Sequence, residues 1–77
     1  MHTIEGAFRA PQGRIAILAS RFNELVVGPL IEGARDCLRR HGAVEDQLDL
    51  VRVPGAFELP WAAKQLAESG RYVGIVA

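Results

Sequence analysis

Two short apolar runs, Arg14-Ile-Ala-Ile-Leu-Ala19 and Tyr72-Val-Gly-Ile-Val-Ala77, bracket most of this chain, and the hydrophobic residues between them recur largely at helical spacing. Continuous apolar runs alternating with 3.6-period segments admit few architectures. The first run follows Pro11 and Gly13 and reads as a strand buried on both faces. Ser20-Arg21-Phe22-Asn23 is a loop, with Asn23 placed to cap a helix. In that helix Val27, Leu30, Ile31, Ala34, Cys37 and Leu38 share one face, and Glu32, Arg35, Asp36, Arg39 and Arg40 the other. Asp36 and Arg40 form a supporting pair, Gly42 stops the helix, and Pro29 either kinks its first turns or marks a later start.

Leu50-Val51-Arg52-Val53 is a second strand, and Arg52 gives it one wet side, as on an outer strand. Pro54-Gly55-Ala56 turns the chain, and Pro60 suits the first turn of a second helix. Leu59, Ala62, Ala63 and Leu66 are its inner stripe, Trp61 packs on or beside it, and Gly70 ends it. Residues 72–77 open a third buried strand. Two βαβ units in this order predict a parallel sheet with right-handed crossovers and strand order 2-1-3. The expected fold is a three-layer α/β, flavodoxin-like sheet, represented by β-α-β-α-β. A central strand without its outer neighbour leaves backbone donors and acceptors unpaired, so a fragment, or a chain completed by another polypeptide, is expected. Thr3-Ile4-Glu5 is a candidate short strand with no partner in its own sheet.

Seventy-seven residues make one domain, residues 1–77, and such a chain buries only roughly 60–65% of its unfolded surface. Yet 49% of the residues are hydrophobic, which suggests surface meant to meet more protein. Nine basic residues balance nine acidic ones, which argues for neither nucleic acid nor an anionic membrane. Cys37 is the sole cysteine and makes no internal disulfide. No signal peptide or apolar run near 20 residues is present, so the expected compartment is the cytoplasm.

Ligands of open parallel sheets bind outside the carboxyl ends of the strands. Two loops emerge there, Ser20–Asn23 and Pro54–Glu58, carrying Phe22, Phe57 and Glu58. A ring can stack on a flat heterocycle, a carboxylate can accept hydrogen bonds from a polyol, and helix N-terminal amides add donors. Together they suit a planar ring with a hydroxylated tail. The competing readings are plainer: each Phe a core plug or hydrophobic staple, Glu58 a favourable charge on the helix dipole. No G-x-x-x-x-G-K-[ST] or G-x-G-x-x-G follows either strand, so nucleoside triphosphates and dinucleotides lose support. No acidic pair closes strand 1, and no metal site is expected. Cys37 on the apolar face reads as structural, His41 as a dipole contact, and His2 as part of a mobile terminus.

Ala19-Ser20-Arg21-Phe22-Asn23 and Val53-Pro54-Gly55-Ala56-Phe57-Glu58-Leu59-Pro60 resemble the signature loops of lumazine synthases. Glu32-Gly33-Ala34 and Gly70-Arg71-Tyr72 also match that family at the right spacing. The resemblance covers essentially the whole chain, and about the first half of a family member. It implies a transferase of riboflavin biosynthesis that condenses 5-amino-6-(D-ribitylamino)uracil with 3,4-dihydroxy-2-butanone 4-phosphate, without metal or organic cofactor. It further implies that Phe22 stacks on the pyrimidine with Asn23 beside it, that Ala56 and Phe57 line the pocket, and that Glu58 holds ribityl hydroxyls. The acid/base histidine and phosphate site of the family lie beyond these residues, so this stretch by itself is expected to be inactive. Small-molecule substrates, a homo-oligomer (a pentamer or a sixty-subunit icosahedral shell) and riboflavin synthase are the partners it brings into view. Two alternatives stay open: a non-catalytic flavodoxin-like module binding a flavin or pteridine, and an assembly protein.

Overall fold

A computed structural model describes residues 1–3, 6 and 12–77. The candidate strand at Thr3-Ile4-Glu5 involves residues outside that set. Strand β1 (Ile15–Ser20) leads into helix α1 (Glu24–Arg40), strand β2 (Leu48–Val53), helix α2 (Leu59–Glu68) and strand β3 (Gly74–Val76). All pairing is parallel and the order is β2-β1-β3, as the sequence predicts. β1 is central, and Ile15, Ala16, Ile17 and Leu18 are all buried, the continuous apolar run finding cover on both faces. Leu18 packs with Val53 and Ala62 of α2, supported by Val51, Leu59, Ala63, Leu66 and Ile75. Alternation sends Ile17 to the other face, where it and Ile31 of α1 line common hollows.

Both helices start and stop largely for the expected reasons. Pro60 sits in the first turn of α2. After α1, the Ala43 N–H donates to the Leu38 carbonyl and the Gly42 N–H to Arg39, with Gly42 at φ +102°, the closure that glycine permits. Buried Ala43 completes it. The His41 ring also bonds back to the Cys37 carbonyl at 2.7 Å, an acceptor that the His41 backbone N–H reaches as well at 3.2 Å. Pro29 lies inside α1 rather than before it. The carbonyl it deprives of a partner belongs to Leu25, whose side chain is exposed at the surface.

Three details depart from the expected pattern. Asn23 precedes α1 in the left-handed conformation (φ 58°, ψ 61°) and makes no side-chain cap bond. Leu30 and Cys37 are exposed, as is Trp61 of α2. Leu30 and Cys37 each lie one residue, a rotation of about 100°, from Ile31 and Leu38, so α1 turns chiefly Val27, Ile31, Ala34 and Leu38 inward, with exposed Leu30 bordering the apolar hollow at the stripe's edge. The third strand is three residues long, starting at Gly74 instead of Tyr72. Tyr72 is engaged elsewhere: its hydroxyl donates to the Asp49 carboxylate at 2.7 Å. No strand pairs with the outer edge of β3 among the described residues.

Asp49 ties together the amino ends of all three strands. It accepts from Tyr72, just before β3, and from Arg14, just before β1, at 2.7 Å each. Beside this hub the Gln47 amide donates to the Gly13 carbonyl at 2.7 Å. Gly13 itself has φ +113°, and a Cβ there would meet Val73 Cγ1 at 2.7 Å, so only glycine fits.

The hydrogen bond from Tyr72, assisted by Arg14, holds the Asp49 carboxyl below its ordinary range, and the same bond raises the Tyr72 phenol. A lowered acid pKa stabilises the fold above the unfolded value and loses that effect as pH falls through the folded value. A raised phenol pKa stabilises below its unfolded value and loses that effect as pH rises through the folded one. The link is therefore fully present from roughly pH 4 to pH 10 and declines on either side. In thermal melts across pH, Tyr72→Phe is expected to lower the Tm within that window and abolish the alkaline decline. An unchanged alkaline limb would show that Tyr72 does not set it.

Candidate ligand-binding site

Parallel pairing places Ser20 opposite Val53, so the loops after β1 and β2 leave the same end of adjacent strands. They are joined directly by the Arg21 N–H, which donates to the Val53 carbonyl at 2.8 Å. The first loop runs through Phe22 and left-handed Asn23 into α1. The second passes through Gly55, forms a single 3-10 turn over Ala56–Glu58, and enters α2 at Leu59.

Burial separates two of the competing readings. Phe22 is 75% exposed and Phe57 96% exposed, so neither ring plugs the core of this chain. Both are available as apolar platforms, which is uncommon for side chains that gain so much from burial. Glu58 occupies the N-cap position of α2 but makes no side-chain cap bond. Its carboxylate instead lies back over Gly55, where a Cβ would come within 3.2 Å of Oε2. The sequence-derived residues Phe22, Asn23, Ala56, Phe57 and Glu58 thus lie on two adjoining loops at one end of the sheet.

An apolar cavity of about 340 Å³ lies elsewhere. It lies beside the inner face of α1, lined by Ile17, Ala19, Val27, Ile31, Leu59 and Val76 among others, and none of the five candidate residues borders it. Its lining is almost wholly apolar and offers few groups to orient a polar ligand. The loop residues are therefore the better candidate site. No cluster of three or more His, Cys, Asp or Glu side chains that could hold a metal is present among the described residues. Nor is any described helix long and apolar enough to cross a membrane.

One side chain at this end escaped the sequence analysis as a site component. Arg52 of β2, read there only as marking a wet face, donates from Nη2 to the Ser20 carbonyl at 3.1 Å. It also pairs with Glu24, the first residue of α1. The available signal was a lone guanidinium in the otherwise apolar run Leu50-Val51-Arg52-Val53, next to the carboxyl end where ligands bind.

A parallel 2-1-3 sheet with alternating helices, and two short loops side by side at its carboxyl edge, defines an α/β protein of the flavodoxin-like type. Comparison with known proteins narrows this. The family model described as 6,7-dimethyl-8-ribityllumazine synthase matches residues 12–77, and the chain belongs to that family. It is 52% identical over 75 residues to the 6,7-dimethyl-8-ribityllumazine synthase of Nitratidesulfovibrio vulgaris (strain DSM 19637 / Miyazaki F). That similarity covers 97% of this chain and 48% of the relative, so the chain spans about half the length of the curated relative it matches.

Proposed function

We propose that this chain supplies the pyrimidine- and ribityl-binding part of a 6,7-dimethyl-8-ribityllumazine synthase acting in riboflavin biosynthesis. The reaction is the condensation of 5-amino-6-(D-ribitylamino)uracil with 3,4-dihydroxy-2-butanone 4-phosphate. Phe22 stacks on the pyrimidine, with Asn23 beside it. Ala56 and Phe57 line the other side, and Glu58 accepts hydrogen bonds from ribityl hydroxyls. Acid/base and phosphate-binding groups come from residues outside these 77. Holding an amine and a ketone in reacting geometry removes much of the entropic barrier to their condensation, which suits a site built mainly for orientation.

The observation that carries this reading is the junction of the two family-matching loops through the Arg21–Val53 hydrogen bond, with two exposed rings and a carboxylate beside it. The reading also brings a homo-oligomer, which exposed Leu25, Val26 and Trp61 support as surface for a neighbouring subunit. Calorimetric titration of the complete protein with the pyrimidine tests it. Phe22→Ala is expected to weaken binding by about 1–3 kcal/mol, the scale of base–aromatic stacking. Because the ring is largely exposed, the thermal midpoint should stay near that of the parent. No binding by the parent protein, or no loss in the variant, would count against the assignment.

A further inference from the structure

We infer that Arg52 is a positioning residue: one guanidinium, reaching from β2, fixes both flanks of Phe22 and sets the ring's place against the second loop. This rests on the function proposed above. In register, Arg52 lies opposite Ala19, one residue short of the end of β1. Its Nη2 donates to the Ser20 carbonyl at 3.1 Å, and its Nη1 lies 3.5 Å from Glu24 Oε1, within a two-point pair between the side chains. Ser20 and Glu24 bound the segment Arg21-Phe22-Asn23, so the anchors stand on each side of the aromatic residue. The Arg52 side chain is only 21% exposed, which shields the pair from solvent on one side.

Phe22 needs such support. With three quarters of its surface exposed, it has little packing of its own to hold it. Its direction must follow from the backbone on either side, where Asn23 takes a left-handed step that asparagine tolerates and that turns the chain sharply into α1. Arg52 belongs to the strand that runs into Pro54–Glu58, so it also ties the placement of Phe22 to that of Glu58. A stacking platform and a carboxylate can read one ligand only if their separation is fixed.

The test is a double-mutant cycle on the complete protein, titrated separately with 5-amino-6-(D-ribitylamino)uracil and with 3,4-dihydroxy-2-butanone 4-phosphate. Arg52→Gln and Glu24→Gln are each expected to weaken pyrimidine binding roughly 10- to 100-fold, the scale on which small misplacements act. Butanone phosphate binding should change by less than about twofold, and in a Phe22→Ala background Arg52→Gln should add little. Arg52→Lys keeps the charge but not the planar fork, so partial recovery is expected. Full loss in the Phe22→Ala background, equal loss for both ligands, or no loss at all would overturn the inference. Amide hydrogen exchange at Arg21 and Val26 provides a ligand-free readout, expected to accelerate in Arg52→Gln, and unchanged exchange there overturns the inference as well. Should the parent protein bind no pyrimidine, the proposed function fails, and the exchange rates still decide what Arg52 does.

Discussion

Leu18→Ala is expected to remove about 2–5 kcal/mol of folding free energy, the cost of emptying a well-packed leucine site. Leu18 is 2% exposed at the middle of the central strand, and it touches both the α2 stripe and the β2 side chains. Folded domains are stable by only roughly 5–15 kcal/mol in total, so one side chain carries a large share. Truncation leaves a cavity between a sheet and a helix that are each held by backbone hydrogen bonds and cannot collapse freely. Urea unfolding checks this: the midpoint should fall sharply with little change in slope. Lys64→Ala is the matched control, because that side chain is 72% exposed on α2 and its loss should stay within about 0.5 kcal/mol. Similar shifts for the two variants would mean that the core is not centred on β1.

Glu58→Gln should weaken binding of the ribityl substrate roughly 10- to 150-fold, the worth of hydrogen bonds to a charged acceptor. Binding of the butanone phosphate should stay nearly constant. The substitution preserves size and removes only the charge and part of the accepting capacity. Glu58 makes no side-chain cap bond and is exposed, so the fold has little at stake beyond a helix-dipole contribution of about 0.3–1 kcal/mol. That difference separates the two readings of this carboxylate. If it serves the dipole alone, Gln lowers stability slightly and leaves both affinities untouched. If it holds the ribityl chain, one affinity falls and the other does not. Parallel titrations of both ligands decide, and equal losses would remove Glu58 from the ribityl site.

The sheet was legible because its signals are local. The five-residue apolar run Ile15–Ala19 calls for cover on both faces, and Arg52 in the second run marked that strand as an outer one. Pro60 and Gly42 announced a helix start and a helix stop through backbone constraints that hold in any context. What failed to show depended on neighbours. The periodic stripe of α1 was drawn too wide because its flanks at Leu30 and Cys37 are decided by how much sheet lies beneath them. Asn23 had the composition of a capping residue, yet the chain enters α1 there by a left-handed step. Tyr72 read as strand, while its hydroxyl serves a carboxylate 23 positions earlier. At the site, topology alone brought the two loops to one edge. The roles given to Phe22, Ala56, Phe57 and Glu58 came from resemblance, and the exposure of the rings adds that they are not core plugs.

Asp49 stands four residues before Val53 on β2, about 13 Å along a parallel strand. Screening in physiological salt takes hold over about 8 Å, so protonation of Asp49 is muted by the time its field reaches Phe22 or Glu58. Loss of the Asp49 charge would loosen the foot of the sheet without itself reshaping the field at the proposed site. Endurance toward pH and, on the proposed reading, discrimination between ligands are thus written at opposite poles of the same three strands, and either can drift by mutation without dragging the other along.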